Sequence, residues 1–159
     1  MKKVIIISCM MVLLFSSLVF AQRERMGTIM GTLGMGIAFR TTVEPETLGS
    51  VIFDLSLISK PGLALCYTDV TVFSSAGTSR YIMPGAGYDY IRDKWYIGVT
   101  VHVAPMAGDL LIAGKINGRY FFSNNIGISG MFMYSRAAGL MSYDFSMFDI
   151  FAGISIRNQ

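Results

Sequence analysis

The sequence predicts an all-β chain of eight antiparallel strands closed into an up-and-down transmembrane β-barrel behind a cleaved leader. Three observations predict it. Past residue 26, nearly every stretch alternates bulky apolar residues with small or polar ones. The clearest case sets Trp95, Ile97, Val99, Val101 and Val103 against Tyr96, Gly98, Thr100, His102 and Ala104, and a period of two gives a strand two distinct faces. Mean hydropathy is +0.53 and 14% of residues are charged, against ~25% in typical soluble proteins. Yet no apolar run after residue 21 approaches the ~18 residues of a spanning helix. Lipid cannot satisfy open backbone edges, so a hydrophobic chain without such a helix finds its membrane solution in a closed barrel.

Residues 1–21 read as a signal peptide, with Lys2 and Lys3 as the positive region, Val4 to Phe20 as the apolar stretch, and Val19-Phe20-Ala21 before the cleavage point at Gln22. Residues 22–159 then form a single barrel domain. Without Lys2 and Lys3 the formal charge of +3 falls to about +1, with no basic patch to suggest nucleic acid. Cys66 is the only cysteine after the leader, so no internal disulfide forms.

The first strand is Met26 to Arg40, with Ile29, Leu33, Met35, Ile37 and Phe39 on one face and Thr28, Thr32, Gly34, Gly36, Ala38 and Arg40 on the other. The second, Ser50 to Ile58, turns Val51, Phe53, Leu55 and Leu57 outward and Asp54 and Ser56 inward. Ser59-Lys60-Pro61-Gly62 is a tight turn. The third opens with Leu63, Leu65 and Tyr67 outward; its phase then slips to Val70 and Val72. A bulge near Asp69, or Asp69 lying above the lipid boundary, would account for the slip. The fourth, about Tyr81 to Ile91, has Ile82, Pro84, Ala86, Tyr88 and Tyr90 outward, with Pro84 awkward in a closed sheet. Arg92-Asp93-Lys94 turns into the fifth strand. The sixth, Leu111 to Phe122, points Ile112, Ile116, Tyr120 and Phe122 outward and Lys115, Asn117 and Arg119 inward. Asn117-Gly118 resembles a hairpin turn, but the apolar phase runs through it unbroken. The seventh is Ile126 to Tyr134, and the eighth, Tyr143 to Arg157, carries Phe148, Ile150, Ala152, Ile154 and Ile156 outward.

Short connections (59–62, 92–94, 123–125) alternate with longer ones (41–49, 74–80, 105–110, 136–142). Short periplasmic turns and longer external loops are the outer-membrane arrangement, with both termini in the periplasm. Tyr90, Trp95, Tyr120 and Phe122 near the inner turns, and Tyr81, Tyr134 and Tyr143 near the outer loops, read as interfacial aromatic girdles. This layout resembles the small eight-stranded OmpA/OmpX-type outer-membrane barrels over the whole chain after the leader. It differs in its short external loops and in ending Ile156-Arg157-Asn158-Gln159 without a terminal aromatic. The resemblance implies the bacterial outer membrane, with its lipid and the barrel-assembly machinery as partners, and a monomer.

No sequence motif carries chemistry. Gly27, Gly31, Gly34 and Gly36 lack the strand–turn–helix setting of a nucleotide loop and make room in a narrow barrel instead. One histidine and one mature cysteine leave no metal site, and no cofactor is expected. The informative set is the inward charges. By topology, Asp89, Arg119 and Arg157 fall toward the periplasm, Asp54, Lys115 and Asp149 near the middle, and Arg40, Asp69 and His102 toward the outside. Confined charges must pair. Lys115 is expected to meet Asp54 or Asp149, and Arg119 to meet Asp89 one layer lower. The expected function is a structural or surface barrel with a plugged or very narrow lumen and no catalysis. Two alternatives are a lipid-modifying barrel enzyme using His102, since barrels of this kind include lipid A acyl-modifying and deacylating enzymes with His, Ser and an acidic partner, and a soluble, secreted lipocalin-like ligand-binding barrel. The last should show many Lys and Glu outside, whereas the mature chain has three of each.

Overall fold

The computed structural model describes residues 26–41, 45–59, 61–106, 109–138 and 146–158. Residues 1–25, with the expected leader, and Tyr143 with the connection around it lie outside the described residues. Eight strands follow in chain order: β1 (Met26–Thr41), β2 (Glu46–Ser59), β3 (Leu63–Ser74), β4 (Gly77–Arg92), β5 (Trp95–Met106), β6 (Asp109–Phe121), β7 (Ile126–Ala138) and β8 (Ser146–Asn158). Each pairs antiparallel with its sequence neighbours, and β8 returns to β1 to close the barrel.

The register fixes the barrel's shape. From Asp149 the partners run Met133, Lys115, Thr100, Gly87, Ala64, Ile58 and Thr28. In the other direction Asp149 pairs directly with Ala38. One circuit therefore returns to β1 ten residues from its start. With ~3.3 Å per residue and ~4.8 Å between strands, that stagger tilts the strands by ~40°. A barrel of eight strands has an interior just wide enough for side chains to fill.

The two faces separate cleanly. Val101 is 56% exposed and Thr100 1%; Phe53, Leu55, Ile97, Val99, Ile112, Ile116, Phe148, Ile150, Ile154 and Ile156 all lie exposed on the outer face. The inside stacks in layers. An apolar layer at the terminal end holds Met30, Ile58, Ala64, Cys66, Tyr96 and Phe121. A larger one at the opposite end includes Ile52, Val70, Val72, Met83, Met131, Met133, Met147 and Phe151. Polar residues fill the space between.

The second apolar layer corrects the reading of β3. The register on both sides of β3 is continuous through Asp69, with no bulge. Val70 and Val72 are buried inside. The strand keeps its phase; what changes along it is the chemistry of the interior. Asp69 is therefore on the outer face, out of the lumenal set, where Arg80 Nε donates to its two oxygens at 3.0 and 3.1 Å. Tyr81 is likewise inside, packed on the interior cluster, and not in a girdle. The expected loop 74–80 is a two-residue link, because β4 already begins at Gly77. Its polar Thr78, Ser79 and Arg80 read as loop but pair in register with Phe73, Val72 and Thr71. Asn117-Gly118 lies within β6, as the unbroken phase requires.

Inward glycines set the close approach of neighbouring strands. A Cβ on Gly87 would meet the Val99 carbonyl oxygen and, at 2.6 Å, the Thr100 Cα, whereas one on outward Gly114 meets nothing within 4 Å. Backbone cannot yield as a flexible side chain can. Gly87→Ala should therefore cost ~1–3 kcal/mol, measured by chemical unfolding of the refolded barrel, and Gly114→Ala should be silent. Equal tolerance at the two positions would refute the inward assignment.

Candidate functional site

The polar belt between the apolar layers is built around Asp54. β2 carries Asp54 and Ser56 inward, β3 carries Thr68 opposite Asp54, and β6 sends Lys115 and Arg119 across the lumen. Lys115 Nζ donates to Asp54 Oδ1, and at 3.2 Å to Thr68 Oγ1. Thr68 Oγ1 donates to Asp54 Oδ1 at 2.5 Å. Arg119 Nη2 donates to Asp54 Oδ2 at 2.7 Å and to Ser56 Oγ at 3.1 Å, and Ser56 Oγ donates to Asp54 Oδ2 at 3.2 Å. One carboxylate thus takes two cations and two hydroxyls, with the Asp54, Lys115 and Arg119 side chains all at 0% exposure.

Asp89 completes the charge balance. Arg119 Nη1 stands 3.7 Å from Asp89 Oδ1, which also accepts from Asn117 Nδ2 at 3.3 Å. Two cations face two carboxylates, so the desolvated belt carries no net charge, as burial demands. Arg157 lies lower, donating from Nη1 to Tyr96 Oη at 2.8 Å and from Nε to the Asn124 carbonyl at 2.7 Å. Its guanidinium sits 4.4 Å from the Phe121 ring centroid, a cation–π seal on the terminal end. At the opposite rim, Arg40 Nη1 stands 3.9 Å from Glu46 Oε2.

His102 is held by both ring nitrogens. Nδ1 lies 3.3 Å from the Met83 carbonyl oxygen, which only accepts, so Nδ1 carries the proton. Nε2 is then the acceptor for Thr100 Oγ1–H at 2.7 Å. Gly85 admits the ring, since a Cβ there would collide with Nδ1. Neither nitrogen touches a serine or a carboxylate.

Asp149 stands apart. It is buried, and neither of its oxygens has a hydrogen-bond partner. Its register partners are Ala38 and Met133, which puts it in the outer apolar layer, level with neither Lys115 nor Arg119. The choice left open for Lys115 thus falls on Asp54, while Arg119 is shared between Asp54 and Asp89. The residues not foreseen as members are Ser56, Thr68, Thr100, Asn117, Tyr96 and Phe121. Their inward phase is legible in the alternation; their roles need the cross-lumen contacts. Of the expected girdle residues, Trp95 and Tyr120 stack at 4.7 Å and Tyr134 stacks on Phe148 at 4.6 Å. Tyr90 and Phe122 lie exposed on the outer face.

The architecture is shared with solved structures. Neisserial surface protein A aligns with a TM-score of 0.59 at 10% identity, over 82% of this chain and 98% of that one. Ail, the attachment invasion locus protein of Yersinia pestis, aligns at 0.63 and 10%, over 84% and 99%. A de novo designed transmembrane β-barrel aligns at 0.61 and 13%, over 84% and 98%. No protein-family model matches the chain, and no curated protein does. The likeness is one of fold: a closed eight-stranded barrel of the small outer-membrane type, as the strand pattern led one to expect.

The belt's energetics are testable by a mutant cycle. Lys115→Met leaves Asp54 short of a cation in a buried site and should cost ~3–5 kcal/mol. Combined with Asp54→Asn it should cost less than the two single losses together. Combined with Asp149→Asn the losses should add, because no contact joins the two. Unfolding in urea reads all three; additivity in the first pair, or coupling in the second, would refute the assignment.

Proposed function

We propose that the chain is a small bacterial outer-membrane barrel with a structural or surface role, its lumen shut and free of catalysis. The observation that carries this reading is the pairing of an apolar outer face with a buried, neutralised polar belt. Exposed Ile, Val, Leu and Phe side chains on every strand suit lipid and are at odds with a soluble lipocalin-like barrel, whose apolar residues line its inside. The Asp54 cluster, capped on both sides by apolar layers, fills a lumen that is narrow already. It supports a plug that fixes the strands relative to one another, in preference to a gate over a pore. Met26 at the start of β1 and Asn158 at the end of β8 share the end formed by the turns after β2, β4 and β6, which is the periplasmic end in this reading.

The lipid-modifying alternative rests on His102. A general base needs a nucleophile within hydrogen-bond reach and an orienting partner. Thr100 and the Met83 carbonyl occupy both nitrogens instead, which supports a positioning role for the ring.

The mature chain should fractionate with the outer membrane, need detergent for solubility, and shift in electrophoretic mobility on heating. Recovery as a soluble monomer without detergent would overturn the placement. Val101→Arg should destabilise by ~2–4 kcal/mol near the membrane midplane. Thr100→Ser keeps the hydroxyl on His102 and should cost ~1 kcal/mol or less. In planar bilayers the refolded protein should not conduct; steady single-channel steps would replace the plug with a pore.

A further inference from the structure

The barrel wall is not equally sealed on all sides. The ladder between β4 and β5 ends at Gly85–His102, although β4 runs outward to Gly77 and β5 to Met106. Two turn hydrogen bonds explain why. Asp89 N donates to the Gly62 carbonyl at 2.8 Å, so odd-numbered β4 residues turn their backbone groups to β3 and even-numbered ones to β5. Phe121 N donates to the Lys94 carbonyl at 2.9 Å, so even-numbered β5 residues face β6 and odd-numbered ones face β4. Pro84 is even and Pro105 is odd. Continued past Gly85–His102, the register would set Pro84 against Val103 and Pro105 against Ile82. Both pairs would be hydrogen-bonded, and each proline removes the donor it should supply. The same seam loses an N–H from each side in successive bonded pairs.

Behind the seam lies the methionine-rich outer layer. Met83 and Ala104 flank the seam from inside and belong to one continuous cluster with Met133 and Met147. Those two surround Asp149: Met133 is its register partner, and Met147 precedes it by two on β8. Asp149 is fully buried with both oxygens unpartnered, and Ser135, diagonal to it across β7–β8, has an unpartnered hydroxyl. β8 lies three strands beyond β5 and four beyond β4, so Asp149 sits across the lumen from the seam. With the tilt that the stagger imposes, it is roughly level with Ala104.

We propose that this outer apolar layer repacks to bind a small apolar amine, which enters from the membrane between β4 and β5 and places its ammonium against Asp149 and Ser135. A buried carboxyl without a partner is costly, and an ammonium supplies both the missing charge and the missing donors. The apolar body of the ligand matches a layer whose unbranched methionines can repack around it. Asp54, by contrast, is saturated by Lys115 and Arg119 and offers nothing to a ligand. The lateral route rests on the membrane placement proposed above; the site itself rests on the fold alone.

The test uses the mature chain labelled at the methionine methyls and refolded in detergent, its heat-shifted mobility checked first as an independent reading of barrel and membrane character. Titration with n-octylamine should shift the Met133 and Met147 methyl signals saturably; n-octanol and octanoate at equal concentration should not. Asp149→Asn should weaken octylamine binding about tenfold or more, the loss of one charged hydrogen bond. Met133→Phe, which puts a rigid ring in place of an unbranched side chain that can repack, leaves the charge untouched and should weaken it too. Equal shifts with octanol, or unchanged affinity in Asp149→Asn, would overturn the site. Pro84→Val with Pro105→Thr restores both donors and should slow the approach to saturation while leaving the endpoint unchanged; an unaltered rate would overturn the lateral route.

Discussion

Closure of eight strands with a stagger of ten residues is the constraint on which the rest of this structure depends. It sets the tilt, and the tilt sets a lumen only one or two side chains across. Inward side chains from opposite walls therefore meet, as Lys115 and Arg119 of β6 meet Asp54 of β2, and there they are out of reach of bulk water. Except along the outer part of the β4–β5 seam, the same closure satisfies the backbone within the wall, which leaves the outer face free to be apolar on every strand.

In so narrow an interior, charge placement becomes a packing problem. Asp54 accepts from Lys115, Arg119, Thr68 and Ser56 at once, and Asp89 balances the second cation at 3.7 Å. A carboxylate shared between two cations avoids the isolated buried charge that would otherwise dominate the energetics. The apolar layers on either side keep the belt dry and give the barrel a core in the ordinary sense. His102 joins β5 to β4 through the Met83 carbonyl at 3.3 Å, directly where the backbone ladder between those strands stops. One side-chain hydrogen bond there stands next to backbone bonds that two prolines have removed.

The alternation of the sequence determined a good deal. It fixed the number of strands, the continuity of β6 through Asn117-Gly118, and, along most of each strand, which residues face in and which face out. It failed where the interior itself turns apolar. Val70, Val72 and Tyr81 read as outward because bulky apolar residues were assigned to lipid, yet the outer layer of the lumen is built from such residues. Asp69 was carried inward by the same error. The polar run at 78–80 read as loop because strand tips beyond the lipid need no apolar face.

Only the tertiary structure decided which charges meet. Asp54 and Asp149 look alike in sequence: each is an acid amid alternating apolar residues, pointing inward. Lys115 shares a perpendicular row with Asp149, two strands away, yet it pairs with Asp54 on the far wall. The reason is that cross-lumen height depends on the sum of the register steps at all eight seams. A two-residue slip at any seam would change that sum and the partners across the lumen, while leaving the inward and outward faces of every strand as they are.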